Sequence, residues 1–208
     1  AKAPNTTRSA PREQCPLDLV ERHFQAFEPS KLWVADITYV RTFSGWVYVA
    51  FVTDVFNREI VGWQVSDSLH TDLALDALRM GIYQRTRQGD DLSGLVHHSD
   101  RGVQYRAIRY GEALAEQHAV ASVGSKGDSY DNALAEALNS LYKAELVRNR
   151  GPWFGIDDVE IATAEWVHWF NTFRPHSALG GLTPTTYRAM HPQRLTTPSE
   201  PVPELVKA

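Results

Sequence analysis

Three runs of strand-forming residues lie almost end to end in the first third of the chain: residues 32–40 (LWVADITYV), 46–54 (WVYVAFVTD) and 60–65 (IVGWQV). Each is dense in β-branched and aromatic residues, the side chains that fit a pleated, half-buried surface. The connections between them hold only turn residues, Ser44-Gly45 and Asn57-Arg58. A parallel crossover needs a dozen residues or more, so links this short impose antiparallel pairing. A three-stranded meander is the expected start of the fold.

The period then changes. Thr71 is placed to cap a helix that carries Leu75, Leu78 and Ile82 at helical spacing. Residues 94–99 (GLVHHS) read as a short strand, 106–118 as a helix and 119–123 as a fifth strand. After a loop at 124–129 come two helices, 131–147 and 157–170, the second with Val159, Ala162, Trp166, Trp169 and Phe170 on one stripe. The order β-β-β-α-β-α-β-α-α predicts an α/β domain: a mixed five-stranded sheet, three antiparallel strands then parallel ones, flanked by helices. That order is the ribonuclease-H-like one. Residues 31–190 are expected to form this core. Residues 1–30 read as a polar linker or arm with one short helix near 17–24, and 191–208 as a loose proline-containing tail.

Composition adds limits rather than identity. The chain has 208 residues, 43% hydrophobic and 22% charged, which suits one globular domain. One cysteine, Cys15, excludes an internal disulfide and suggests a reducing compartment. No apolar run approaches the ~20 residues of a membrane span, and the first residues lack an apolar signal core, so a cytoplasmic protein is expected. The formal net charge of −4 argues against a dedicated DNA-binding module, yet an enzyme acting on nucleic acid can gather its cations on one face.

Three carboxylates stand out. Asp36 lies within a strand, where a charge is costly unless partnered or metal-bound. Asp100 follows the fourth strand in HHSDRG, at the strand end where α/β sites gather. Glu136 sits on the 131–147 helix; with Leu134, Ala137, Leu138 and Leu141 read as its buried stripe, Asn132, Glu136, Asn139 and Lys143 fall on the opposite side. Glu145 falls near the apolar stripe and is the poorer candidate. Hard oxygen donors of this kind suit Mg²⁺ or Mn²⁺ and metal-assisted phosphoryl transfer. Each carboxylate taken alone is as compatible with a turn, a cap or a solvated face. His97-His98 lacks partners at zinc-ligand spacing. The tryptophans are expected to pack in the core.

Between Asp100 and Glu136 lie the 35 residues 101–135. That interval, with LWVADITYV around Asp36, HHSDRGVQY around Asp100, SYDNALAEALNSLYKAEL around Glu136 and FNTFRPHSALGGLTPTTY further on, resembles the DDE transposases and retroviral integrases. The likeness is greatest to OrfB-type transposases of the insertion-sequence-three family and covers residues ~31–190. It implies that Asp36, Asp100 and Glu136 are the catalytic, metal-binding triad, with two Mg²⁺ or Mn²⁺ ions per site. It implies DNA contacts for Lys143, Asn132, Tyr130, His98, Arg174 and His176. The residues around Thr183-Pro184 themselves read as a helix end followed by a turn and a short helix. It implies transposition activity: metal-dependent cleavage and strand transfer in DNA integration and recombination. The implied partners are terminal inverted repeats, target DNA and a second copy of the chain, on the bacterial nucleoid. The helix-turn-helix region that relatives carry has no counterpart before residue 31, so it is expected to be missing from this chain. The alternatives are a nuclease of the same fold without strand transfer and an inactive DNA-binding remnant.

Overall fold

A computed structural model describes residues 26–99, 108–123 and 133–193. The three initial runs form β1 (Leu32–Thr42), β2 (Gly45–Asp54) and β3 (Ile60–Ser66). They are followed by α1 (Thr71–Arg87), β4 (Val96–Ser99), α2 (Ile108–Ala115), β5 (Val120–Val123) and α3 (Ala133–Tyr142). A π-helical turn (Lys143–Val147) and the short α4 (Arg148–Arg150) extend α3, and α5 (Ile156–Thr172) and α6 (Pro184–Met190) complete the described chain.

The sheet order is β3-β2-β1-β4-β5. β1 pairs antiparallel with β2, and β2 with β3; β1 pairs parallel with β4, and β4 with β5. This is the expected mixed sheet and a ribonuclease-H-like topology. Alternation along the strands splits the core in two. Trp33, Ala35 and Ile37 of β1, with Ala50 and Val52 of β2, pack under Leu75 and Leu78 of α1 and Leu114 of α2. On the other face Val40, Val47, Val49 and Phe51 meet Leu138, Tyr142 and Leu146 beside Trp166 and Phe170 of α5. Asp36, two residues from Val34 and four from Val40, therefore points to the face covered by α3 and α5.

The sheet and α1 come unusually close at Gly62, where an added Cβ would lie 2.0 Å from the Ala77 carbonyl oxygen and 2.8 Å from the Gly81 nitrogen. Only glycine allows β3 this approach. Gly62→Ala is expected to destabilise the fold by about 2–3 kcal/mol by forcing the helix off the sheet. Urea unfolding measures this, and an unchanged midpoint would show that α1 shifts freely.

Two local details differ from expectation. Thr71 is the first helical residue of α1, and His70, with extended backbone (φ −94°, ψ 165°), occupies the capping position without a side-chain bond. The tryptophans divide: Trp33, Trp153 and Trp166 are buried, Trp46 and Trp63 are half-buried, and Trp169 is exposed. At the end of the chain, Thr183 caps α6 by accepting from the Thr186 N–H at 3.2 Å, with Pro184 in the first turn, so the expected short helix is present.

Candidate functional site

β1 carries Asp36 on its α3 side. One carboxylate oxygen, Oδ1, accepts from the Ile37 N–H at 2.8 Å, and Oδ2 accepts from the Asn139 side-chain amide at 2.8 Å. Asn139 is 9% exposed and reaches Asp36 across 103 residues of sequence, so α3 is tied to β1 by a polar bond at this point. Asn139 is one turn beyond Glu136, whose side chain is exposed and whose carbonyl accepts from Ser140 Oγ at 2.9 Å. The bond thus fixes the turn of helix that presents Glu136 relative to β1.

β4 supplies the third approach. It lies beside β1 in parallel register, with Ala35 opposite Ser99. Asp36 and Asp100 are the residues that follow this last pair in sequence. Asp100 itself lies outside the described residues, as do Tyr130 and Asn132. Among the described residues no three His, Cys, Asp or Glu side chains gather into a metal-holding group.

Lys143 extends the site along α3. Its ammonium stands over the Tyr39 ring, 4.5 Å from the centroid. Burial lowers its pKa, while the Asp36 carboxylate acts in the opposite direction and Arg148 adds to the lowering. Asp36, Asn139, Lys143 and Tyr39 are therefore brought together from two elements.

Other expected contacts fall elsewhere. His98 is fully buried with Nδ1 2.9 Å from Ser122 Oγ. Its neighbour His97 points to the opposite face against the Tyr110 hydroxyl at 3.0 Å, and burial lowers its pKa to about 3, so it is neutral. His176 is 6% exposed and donates from Nε2 to the Phe170 carbonyl at 3.1 Å. Arg174 donates from Nε and Nη2 to Glu145 Oε1 at 2.9 and 2.7 Å. Arg174 and His176 thus pack the C-terminal segment onto α5 and the π-helical turn.

The buried face of α3 also needs correction. It consists of Ala135, Leu138, Asn139 and Tyr142. Leu134, Ala137 and Leu141 instead line, with Arg58 and Phe170, an open groove of about 360 Å³. Asn139 is the functional residue that hydrophobic patterning misplaces. The available signal was its position three residues after Glu136 on the face already suspected.

Asn139→Leu, similar in volume, removes the amide that steers Asp36. It is expected to lower stability by about 1–3 kcal/mol, the cost of leaving a polar group without its hydrogen-bond partner. Urea unfolding tests this, with Asn139→Asp as a second variant that places a like charge against Asp36 and destabilises further.

Residues 27–129 and 119–184 match two family models, each described as an integrase core domain. A putative transposase for insertion sequence element IS986/IS6110 from Mycobacterium tuberculosis is 48% identical over 191 residues, spanning 91% of this chain and 69% of that protein. The transposase InsF for insertion sequence IS3A from Escherichia coli is 35% identical over 172 residues, 82% of this chain and 58% of that protein. Among solved structures, the HTLV-2 integrase catalytic core domain in complex with magnesium superposes with a TM-score of 0.60 at 14% identity, covering 78% of this chain and 99% of that one.

Proposed function

Because the chain belongs to the insertion-sequence-three transposases of the retroviral-integrase superfamily, we propose that it cleaves and joins DNA strands through Asp36, Asp100 and Glu136. The observation that carries this reading is the Asn139–Asp36 bond, which ties the helix bearing Glu136 to the strand bearing Asp36. The parallel β1–β4 register adds to it, because both strands run toward the same edge.

The donor set fits a divalent cation. Asp36 is a partly exposed carboxylate held by two hydrogen bonds, and Glu136 is an exposed one. Such hard oxygen donors are the ligands Mg²⁺ and Mn²⁺ prefer. Asp36, Asp100 and Glu136 would hold two ions, which supply charge neutralisation and activation of the attacking oxygen in an in-line displacement. The chain's own residues do the positioning. Asn139 fixes the rotamer of Asp36, and Lys143, set on the Tyr39 ring, offers its ammonium to a phosphate. Tyr130 and Asn132 are proposed to contact DNA as well. In the first displacement water opens a phosphodiester and frees a 3′-OH; in the second that hydroxyl attacks a target strand. Two element ends must be joined, so a dimer or larger assembly acts on DNA. The expected setting is the cytoplasm, at the nucleoid, and no described helix is long and apolar enough to cross a membrane.

A labelled duplex carrying an end of the encoding element, with a free 3′-OH, tests the reading when mixed with target DNA and Mg²⁺. Strand transfer predicts products longer than the substrate, lost on chelation. Shortened fragments alone would identify a nuclease, and no metal-dependent product at all would identify an inactive remnant.

A further inference from the structure

Beyond Lys143 the same end of the sheet carries a row of rings and cations that the triad does not use. Tyr39 and Trp46 meet edge to face, with centroids 5.3 Å apart at 88°. The Arg41 guanidinium lies 5.2 Å from the Trp46 centroid, as Lys143 lies over Tyr39. The antiparallel register explains the row. Arg41 stands directly opposite Trp46, and Tyr39 stands opposite Tyr48, two residues along β2. Direct and diagonal cross-strand neighbours on one face are the pairs that touch in a sheet. The row begins at Lys143, which senses the Asp36 carboxylate, and ends at Arg41, which is exposed.

These cations are held differently from six of the described arginines. Arg79, Arg85, Arg109, Arg150, Arg174 and Arg188 each meet a carboxylate. Arg41 and Lys143 form no salt bridge among the described residues and rest on aromatic faces instead. A ring fixes a long side chain without neutralising it, and leaves the N–H donors free to point outward. Pre-ordering a rotamer-rich cation also removes part of the entropy cost of binding an anion. In a chain of net charge −4, two held and uncompensated cations leading away from a carboxylate site mark a path for a polyanion.

We propose that Lys143, Tyr39, Trp46 and Arg41 form a cation–aromatic track that carries the DNA sugar-phosphate backbone away from the carboxylates, each cation taking one phosphate. This rests on DNA being the substrate. Arg41 is the binding residue added here; Tyr39 and Trp46 are positioning residues that act through the cations. Contacts of this kind are independent of base sequence, so the track serves flanking or target DNA as readily as the element's ends.

The test is salt-dependent binding of a labelled duplex of arbitrary sequence with a 3′ overhang, followed by fluorescence anisotropy. Losing one phosphate contact flattens the slope of log affinity against log salt by ~0.9 and weakens binding several-fold at low salt. Arg41→Gln is expected to show this. Tyr39→Leu, which removes the ring under Lys143, is expected to show it too, and Tyr39→Phe to restore the wild-type slope. Thermal melts confirm that each variant is folded. Wild-type slopes in both Arg41→Gln and Tyr39→Leu, or no binding by the wild-type chain, would overturn the track. Strand joining is scored separately: a protein that joins strands with an unchanged Arg41→Gln slope keeps its activity and loses the track, and one that binds through Arg41 but never joins strands does the reverse.

Discussion

Asp36→Asn and Glu136→Gln are each expected to reduce strand cleavage and joining by on the order of 10³-fold or more while leaving the fold intact. The size follows from the chemistry. Removing one charge-stabilising group from a phosphoryl-transfer site costs several kcal/mol of transition-state stabilisation, and each 1.36 kcal/mol is tenfold in rate. The sparing of the fold follows from the structure. Glu136 is exposed, and exposed substitutions usually change stability by no more than ~0.5 kcal/mol. Asp36→Asn keeps one carbonyl oxygen, which can still accept from the Ile37 N–H, and its new amide N–H can donate to Asn139 Oδ1 once that side chain turns over, so a bond between β1 and α3 survives. Glu145→Gln is the contrasting variant. Glu145 is bound by Arg174 and by the Trp166 indole at 3.3 Å, so its loss is read in thermal stability rather than in the rate of joining. Single-turnover kinetics beside circular dichroism melts separate the two classes. A Glu136→Gln protein that joins strands within tenfold of wild type would remove Glu136 from the site.

The second large effect lies in the buried charge cluster around Arg85. Arg85 on α1 is fully buried, and its Nη2 donates to Asp54 Oδ2 at 3.2 Å and Glu59 Oε2 at 2.9 Å. Asn57 joins the cluster by bonding both Glu59 and the Pro184 carbonyl, and Arg188 of α6 reaches Asp90 at 2.7 Å. The network therefore ties α1, the β2–β3 connection and α6 together. Arg85→Met leaves two buried carboxylates without their cation, and breaking a buried pair in this way costs about 3–5 kcal/mol.

The loss should depend on pH. Burial pushes the Asp54 carboxyl up from 3.8 to about 6, even with Arg85 pulling it down. A carboxyl whose folded pKa exceeds its unfolded one binds more protons when folded, so its contribution is most favourable below pH 3.8 and is lost as pH rises through about 6. Without Arg85 the Asp54 pKa moves higher still. The gap between wild type and Arg85→Met in urea unfolding is therefore expected to be widest near pH 8 and to narrow toward pH 5.5. A gap that stays constant across this range would mean that Asp54 does not titrate in the folded variant.

The sequence revealed the sheet more fully than the helix that serves the site. The meander could be read because β-branched and aromatic runs separated by turn residues admit few other arrangements, and the parallel strands because the intervening segments had helical period. The buried face of α3 could not be read by hydropathy. Tyr142 turns inward because its ring packs on Phe51 and Trp166, while Thr163 satisfies its hydroxyl at 2.7 Å. Asn139 turns inward because Asp36 awaits it, and Leu134 and Leu141 are displaced to the groove. Patterning ranks residues by apolarity and is blind to a specific polar partner a hundred residues away. Arg85 was hidden for the same reason: it reads as an ordinary cation in the last turn of a helix. The π-helical turn after Tyr142 carries no glycine or proline to announce it, yet it is the turn that carries Leu146 into the core and Glu145 to Arg174.

Iron-mediated backbone cleavage tests most directly whether a strand, the segment after another strand and a helix share one metal centre, as proposed. Fe²⁺ substituted for Mg²⁺ generates short-lived oxidants with ascorbate and peroxide, which cut the chain only next to the bound ion. One shared centre predicts three groups of fragments, ending near residues 36, 100 and 136, suppressed together by excess Mg²⁺ and lost together in Glu136→Gln. Fragments ending near only one of these positions, or a pattern unchanged in Glu136→Gln, would contradict it.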